Sequence, residues 1–423
     1  MLLAHLLGHL ITIGTLRVID ADGEVYVFSG EAGPEVTVRL HDRALGRKLF
    51  LNPRLHVGEA YMDGTLTVEN GGTIYDFLDL ASWNMERAPL HPLRPFYAGF
   101  GKFLRRLQQY NPVHRARENV AHHYDLSERL YELFLDKDRQ YSCAYFRSPE
   151  DDLDTAQLNK KRHLAAKLLL KPGQRVLDIG SGWGGLALYL ARECDVDVTG
   201  LTLSVEQHKL ATERAAAAGL ADRVRFHLRD YREEKSTYDR IVSVGMFEHV
   251  GIVHFQDFFG TVKGLLEADG VAVIHAIGRG DGPGVTNPWI RKYIFPGGYS
   301  PALSEVLPAV ERSGLWVTDI EILRLHYAET LRAWRQRFEA NRAEIRKLYD
   351  ERFCRMWEFY LAASEVTFRR HEYMVWQMQL TRTVDAVPLQ RDYIVDWERS
   401  HMTEHMTEAG AQANRPKRTV SAP

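Results

Sequence analysis

The sequence predicts an α/β protein with a mainly parallel, doubly wound sheet, preceded by a small N-terminal α+β domain. From Lys171 onward, short apolar strands alternate with helical segments at the spacing of strand–helix–strand units. A glycine-rich turn at 180–185 follows the first of these strands, as at the ligand crevice of such sheets. The candidate strands are 175–180, 197–203, 224–230, 239–246 and 270–277.

Length and composition indicate two globular domains. The chain has 423 residues, which exceeds the usual size of a single hydrophobic core. Between Leu16 and Glu69 the pattern is one of short strands and turns, including a hairpin around Ala21-Asp22-Gly23. We expect a first domain and linker at 1–110, a second domain at 111–400 and a disordered tail at 401–423.

Charge, cysteines and hydropathy limit the expected partners and location. A net charge of −2 gives no broad positive field, so no nucleic acid is expected as a partner. The three cysteines are far apart and odd in number, which fits a reducing compartment and predicts no metal site. Met1–Thr15 predicts a short helix and not a signal peptide, because it lacks a basic start and a cleavage site. We therefore expect a cytoplasmic protein.

Residues 86–118 form the most basic segment of the chain, with seven Lys or Arg against two Glu. A helix here would place five apolar side chains on one face, with arginines beside them: Phe100, Phe103, Leu104, Leu107 and Tyr110. Such a helix could lie on an anionic membrane surface. It could equally be a linker helix that packs on its own domain with its arginines in water.

The segment VLDIGSGWGG at 176–185 describes an apolar strand, a glycine-rich turn and the start of a helix. Its glycines satisfy GxGxxG, which dinucleotide-binding proteins also contain. A dinucleotide site needs an acidic side chain at the end of the second strand, but that strand ends in Thr202 and Leu203. Asp178, two residues before the first glycine, instead resembles class I methyltransferases. In that class the loop packs against the amino-acid part of S-adenosylmethionine.

Several further segments resemble the cyclopropane fatty acid synthases and their mycolic acid relatives. They are YSCAYF (141–146), GLTLSVEQ (200–207), DRIVSVGMFEHVG (239–251), HAIG (275–278) and NPWIRKYIFPGGY (287–299). The resemblance implies that 111–400 is a Rossmann-like class I methyltransferase domain and that 1–110 engages lipid or a partner. It also implies transfer of a one-carbon unit to the double bond of an unsaturated phospholipid acyl chain, giving a cyclopropane ring.

The resemblance also implies which residues contact the cofactor and a bicarbonate ion. By position, the contacts to S-adenosylmethionine are Tyr141, Ser142, Asp178, Gly180, Gly182, Thr202, Leu203, Gln207, Asp230 and Tyr231. The bicarbonate site would comprise Cys143, Glu248, His275, Tyr327 and the Ile277 backbone. A base is needed because the transferred carbon must lose a proton after the alkene attacks the sulfonium methyl. Cys143 would position the ion and would not attack the substrate.

One position departs from the family pattern. Some members have a cysteine in the helix that reads FYLAASEVTFRR here, and this chain has Ser364 at that position. A serine supplies no thiolate, so we expect that the cysteine is not essential.

Three alternatives stay open from sequence. They are a fatty-acyl C-methyltransferase that makes a methyl- or methylene-branched chain, a non-catalytic lipid-binding protein with a degenerate cofactor site, and an NAD-linked oxidoreductase. The last is disfavoured by Leu203. The expected partners are unsaturated phospholipid acyl chains and the anionic inner face of a membrane, and a homodimer is allowed.

Overall fold

The computed structural model describes residues 2–85 and 126–401, which contain two sheets with helices packed around them. The predicted boundary at 110, the basic segment 86–118 and the predicted tail from 402 onward lie outside the described residues. Residues 392–401 are helical. The division into domains therefore stays a prediction.

Residues 2–85 of the N-terminal part form a four-stranded sheet with four helices. Its elements are α1 (Leu2–Leu10), β1 (Ile13–Ile19), β2 (Val25–Ser29), β3 (Glu31–Leu40), α2 (Leu45–Leu51), α3 (Pro53–Met62), β4 (Leu66–Glu69) and α4 (Ile74–Met85). The strand order is β2-β1-β3-β4. β1 and β2 are antiparallel, with Ile19 opposite Val25, so they form a hairpin around the turn noted in the sequence.

The larger part contains a seven-stranded sheet in the order β10-β11-β9-β8-β5-β6-β7. Its strands are β5 (Arg175–Ile179), β6 (Asp197–Thr202), β7 (Val224–Leu228), β8 (Tyr238–Val244), β9 (Leu266–Arg279), β10 (Trp316–Leu323) and β11 (Tyr373–Thr381). The strands β5 to β9 pair in parallel, and β11 lies antiparallel between β9 and β10. The predicted fold class is confirmed, although β10 and β11 were not among the candidate strands.

Helices cover both faces of this sheet and extend beyond it. They are α5 (Glu128–Phe134), α6 (Leu153–Leu168), α7 (Gly185–Cys194), α8 (Val205–Ala217), α9 (Phe255–Leu265), α10 (Pro288–Tyr293), α11 (Leu303–Ser313), α12 (His326–Ala340), α13 (Arg342–Leu348) and α14 (Glu351–Arg370). Short 3-10 turns lie at Tyr231–Glu233, Phe247–His249 and Ile252–His254. Among the described helices, none combines the length and the apolar character that a bilayer crossing requires.

The N-terminal part packs directly on α10 and α14 of the larger part. The Arg370 guanidinium lies 2.7 Å from the Asp79 carboxylate, and the Tyr61 hydroxyl donates to Glu358 at 2.7 Å. A Cβ added at Gly58 would lie 2.5 Å from Nε1 of Trp289, so the backbone of α3 approaches α10 closely. The two parts therefore share an interface of side-chain contacts.

Candidate active site

The turn after β5 is built by glycines in left-handed backbone conformations. Gly180 has φ +85° and Gly182 has φ +54°, a region that residues with a side chain rarely adopt. The amides of Gly180 and Ser181 both donate to the Leu201 carbonyl at 2.9 Å, which ties the turn to β6. A Cβ added at Gly182 would meet no atom within 4 Å. The turn thus leaves open space at the carboxyl ends of the parallel strands.

This space is a cleft, and all of the cofactor residues implied by the resemblance line it. They are Tyr141, Ser142, Asp178, Gly180, Gly182, Thr202, Leu203, Gln207, Asp230 and Tyr231. Sequence reasoning missed other lining residues, among them Arg139, Gln140, Arg229, Arg232 and Met246. His249 also lines the cleft, and its position directly after an apolar strand was a usable signal.

Asp178 places a carboxylate with unmet hydrogen-bonding capacity in the cleft. The side chain is buried, and its Oδ2 has no hydrogen-bond partner among the described residues. Burial raises the pKa of Asp178 to about 7, and the positive charge of Lys160 opposes that rise. A buried acceptor without a partner is costly, so a ligand with an ammonium or hydroxyl group would be stabilised here.

Two further side chains of the cleft, the carboxamide of Gln207 and the carboxylate of Asp230, are held in place by hydrogen bonds to neighbouring residues. The Thr202 hydroxyl donates to Oε1 of Gln207 at 2.9 Å, at the start of α8. Nε and one terminal nitrogen of Arg232 donate to the Asp230 carboxylate at 2.8 and 2.7 Å. Such bidentate pairs have a defined geometry, so the Asp230 side chain is held in one orientation beside the cleft.

The loop that carries Tyr141 and Ser142 is fastened to α6 by a buried lysine. Nζ of Lys160 donates to the Ser142 hydroxyl and to Oε1 of Gln140, both at 2.8 Å. The Gln157 amide adds a bond of 2.9 Å to the Ser142 carbonyl. Because Lys160 is fully buried, its pKa falls to about 8. Lys160 was not predicted from the sequence, because in a predicted helix a buried lysine cannot be distinguished from a solvent-exposed one.

Glu248 follows β8 and contacts the backbone of β9. Its Oε1 accepts a hydrogen bond of 2.6 Å from the Ile277 amide, so two members of the implied ion site touch each other. Its Oε2 is buried and has no hydrogen-bond partner among the described residues. Burial raises the pKa of Glu248 to about 7, so a large fraction is protonated near neutral pH.

Cys143 and Tyr327 are placed by α12. The Ala144 amide donates to the Thr330 hydroxyl at 3.0 Å, and Thr330 lies one turn after Tyr327 on that helix. The Tyr327 ring packs edge-on against Phe368, with 4.8 Å between the ring centroids. Burial raises the pKa of the Cys143 thiol far above its ordinary value. The thiol is therefore protonated, which suits a positioning role and not a nucleophile.

His275 lies on β9, opposite Gln377 of β11. Burial lowers the pKa of His275 well below 6.5, and the positive charges of Lys160 and Lys167 act in the same direction. The ring is therefore neutral at physiological pH. The Lys160 charge also lowers the pKa values of Cys143 and Asp178, so one lysine acts on groups of both the cofactor cleft and the implied ion site.

Ser364 lies on α14, one turn beyond Tyr360, and is partly buried. The Tyr360 hydroxyl is 2.9 Å from the Tyr141 hydroxyl, so this helix borders the cofactor loop. Within residues 2–85 and 126–401, no cluster of His, Cys, Asp or Glu is arranged to hold a metal ion.

Doubly wound cofactor-binding folds share a glycine turn after the first strand and a cleft at the strands' carboxyl ends, and a solved structure places this chain among the class I methyltransferases. The crystal structure of the mycolic acid cyclopropane synthase CmaA1 complexed with SAH and CTAB shares this fold. It has a TM-score of 0.60 and 33% sequence identity, and the match covers 64% of this chain and 99% of that one.

Residues 112–378 match the family described as mycolic acid cyclopropane synthetase. The cyclopropane-fatty-acyl-phospholipid synthase of Escherichia coli (strain K12) is 38% identical over 84% of this chain and 90% of its own length. A "Probable fatty acid methyltransferase" of Pseudomonas putida is 44% identical over 60% of this chain and 66% of its own length. This chain belongs to the mycolic acid cyclopropane synthetase family and is an S-adenosylmethionine-dependent methyltransferase. The resemblance drawn from the sequence is confirmed.

Proposed function

We propose that this enzyme adds a one-carbon unit to the double bond of an unsaturated phospholipid acyl chain and gives a cyclopropane ring. The observation that carries the proposal is the extent of the similarity to the Escherichia coli synthase, which covers 84% of this chain. Such a match must include part of the N-terminal region as well as the methyltransferase fold. The cleft residues described above are compatible with this chemistry.

S-adenosylmethionine, when bound, supplies the one-carbon unit as a methyl group on a sulfonium. Gly180 and Gly182 would let the backbone approach this cofactor, because neither adds a side chain to the cleft. Asp178 would accept from a donor of the cofactor through its unpartnered Oδ2. Lys160 would keep Ser142 and its neighbour Tyr141 in place through the hydrogen bond to the Ser142 hydroxyl.

We further propose that Cys143, Glu248, His275 and Tyr327 hold a bicarbonate ion. This ion, when bound, supplies the base that removes one proton from the transferred carbon. The chemistry of these groups fits a small anion, since a protonated Glu248 can donate through Oε2 and the Lys160 charge lies nearby. The Ile277 amide is already bound by Glu248, so it would act by orienting that carboxyl group.

The product can be identified by growing a host that makes this enzyme on methionine with a fully deuterated methyl group. Ring closure removes one hydrogen from the transferred methyl, so we expect lipids that retain two deuterium atoms and resist ozone. Mass spectrometry of the extracted phospholipids before and after ozonolysis makes both measurements. A host that makes Gly182→Val is the control.

Other products have distinct signatures in the same experiment. A methylene-branched chain would also retain two deuterium atoms but would be cleaved by ozone. A methyl-branched alkene, formed when the proton is lost from the acyl chain and not from the transferred methyl, would retain three deuterium atoms. Either result would show that the enzyme is a C-methyltransferase and does not form a cyclopropane ring. Unlabelled lipids would contradict both and would favour a lipid-binding role.

We also propose that the enzyme works at the inner face of the membrane and that residues 86–118 contact anionic lipid. Arg105→Glu with Arg106→Glu should weaken binding to anionic vesicles more than about tenfold at low salt, since each arginine near the surface contributes about 1 kcal/mol. The difference should shrink as salt rises. Vesicle sedimentation at two salt concentrations tests this.

The matched control is a second double variant with the same change in net charge, made outside residues 86–118. Lys171 and Lys235 are exposed on the methyltransferase part, and Lys171→Glu with Lys235→Glu should leave vesicle binding within about twofold. Cofactor affinity should be unchanged in both double variants. Full vesicle binding by the Arg105 and Arg106 variant would favour the linker-helix interpretation of this segment.

A further inference from the structure

A chain of polar side chains, buried except at its far end, extends from His275 to the edge strand β10. It begins at Gln377 of β11, which is fully buried and lies directly opposite His275. It continues through Lys167 of α6 and Glu321 of β10, and Glu321 is partly exposed. The cofactor and ion sites proposed above use none of these three residues.

The distances in this chain are those of hydrogen bonds. Nε2 of Gln377 lies 3.1 Å from Nδ1 of His275. Nζ of Lys167 donates to Oε1 of Gln377 at 2.9 Å and to Oε2 of Glu321 at 2.5 Å. Each polar group of the Gln377 side chain therefore has a defined neighbour.

The charge of Lys167 determines which way the Gln377 amide faces. An ammonium group has only donors, so the amide oxygen must face Nζ and the amide NH2 must face His275. Burial lowers the pKa of Lys167, but the Glu321 carboxylate opposes this effect at 2.5 Å. Burial would raise the pKa of Glu321, yet His163 and Lys167 lower it well below its usual range. Lys167 and Glu321 thus form an ion pair.

The orientation of the amide in turn determines the tautomer of His275. An NH2 group can only donate, so Nδ1 of the ring must accept. A neutral imidazole with a bare Nδ1 has its proton on Nε2. Flipping the amide would set its NH2 group against the Lys167 ammonium, with two donors facing each other and no acceptor between them.

We propose that Gln377, held in place by Lys167, is a positioning residue that fixes His275 as the tautomer with its proton on Nε2. The ring then offers a hydrogen-bond donor on the side away from Gln377. A donor stabilises an anion there, whereas the bare nitrogen of the other tautomer would repel it. The tautomer follows from the contacts alone, and its use in the reaction rests on the proposed function of His275.

Nitrogen-15 NMR of the full-length enzyme, labelled at histidine, tests the proposal directly. Long-range proton–nitrogen spectra distinguish a protonated ring nitrogen from a bare one, and comparison with His275→Ala assigns the signal. We expect a bare Nδ1 and a protonated Nε2 for His275. A protonated Nδ1 in the unaltered enzyme would overturn the proposal without any further variant.

Gln377→Glu should reverse the tautomer. A carboxylate accepts from both Lys167 and the ring, so the His275 proton should move to Nδ1. Gln379→Glu is the matched control, because Gln379 is on the same strand and equally buried but contacts Tyr393 and the Lys167 carbonyl instead. His275 should keep its tautomer in that variant. An unchanged tautomer in folded Gln377→Glu would overturn the proposal.

Turnover separates this inference from the proposed function. If both hold, Gln377→Glu should lower kcat more than about tenfold while the KM for S-adenosylmethionine stays within about twofold. A reversed tautomer with unchanged kcat would support the positioning by Gln377 and would overturn the role of His275 in the reaction. Lys167→Arg, which keeps a cationic donor, should retain the tautomer of the unaltered enzyme.

Discussion

Gly182→Val should abolish binding of S-adenosylmethionine and leave the rest of the fold in place. Gly182 has φ +54°, and strain of about 1 to 3 kcal/mol is expected for another residue in such a conformation. Its added side chain would extend into the cleft, where a Cβ meets no protein atom within 4 Å. We expect the affinity to fall more than about 100-fold, or more than about 2.7 kcal/mol. Isothermal titration measures the loss.

Gly219→Val separates backbone strain from occupation of the cleft. Gly219 has φ +68° and also has no atom within 4 Å of an added Cβ, but it follows α8 and does not line the cleft. Its replacement should lower thermal stability by an amount similar to that in Gly182→Val, with cofactor affinity intact. Unchanged affinity in folded Gly182→Val would contradict the assignment of this cleft to the cofactor.

The sequence predicted the parallel part of the sheet but not its antiparallel edge. β5 to β9 alternate with helices and turns, and each has the apolar run or the apolar–polar alternation of a strand, so the local pattern was sufficient. β10 and β11 are separated by three consecutive helices, α12 to α14, and do not follow that alternation. β11 also contains Gln377 and Gln379, whose burial depends on partners from α6 and β9.

The site was predictable where its chemistry is local and unpredictable where it depends on tertiary contacts. The glycine turn and Asp178 lie in one short segment that specifies its own conformation. Lys160 lies in the predicted helix QLNKKRHLAAKL. Four charged residues and a histidine in this segment suggest that it is exposed to solvent. In the structure it is fully buried between the cofactor loop and the sheet. No periodicity distinguishes such a lysine from one that faces water.

His275→Ala and Tyr327→Phe should each lower turnover about 100-fold or more while cofactor affinity stays within about threefold. The reason is that both side chains are proposed to hold the base, and neither lines the cofactor cleft. Tyr327→Phe removes only a hydroxyl, so the ring contact with Phe368 is kept and the fold should be intact.

Tyr349→Phe is the control for loss of a tyrosine hydroxyl. Its oxygen accepts from the Ser127 amide and Tyr349 does not line the cofactor cleft, so its loss should not affect turnover. Single-turnover kinetics with added bicarbonate and titration with S-adenosylmethionine measure the two quantities separately. Added bicarbonate should restore part of the rate if the variants bind the ion more weakly. Parallel losses of cofactor affinity would instead place His275 and Tyr327 in the cofactor site, and the base would then have to be held by other residues.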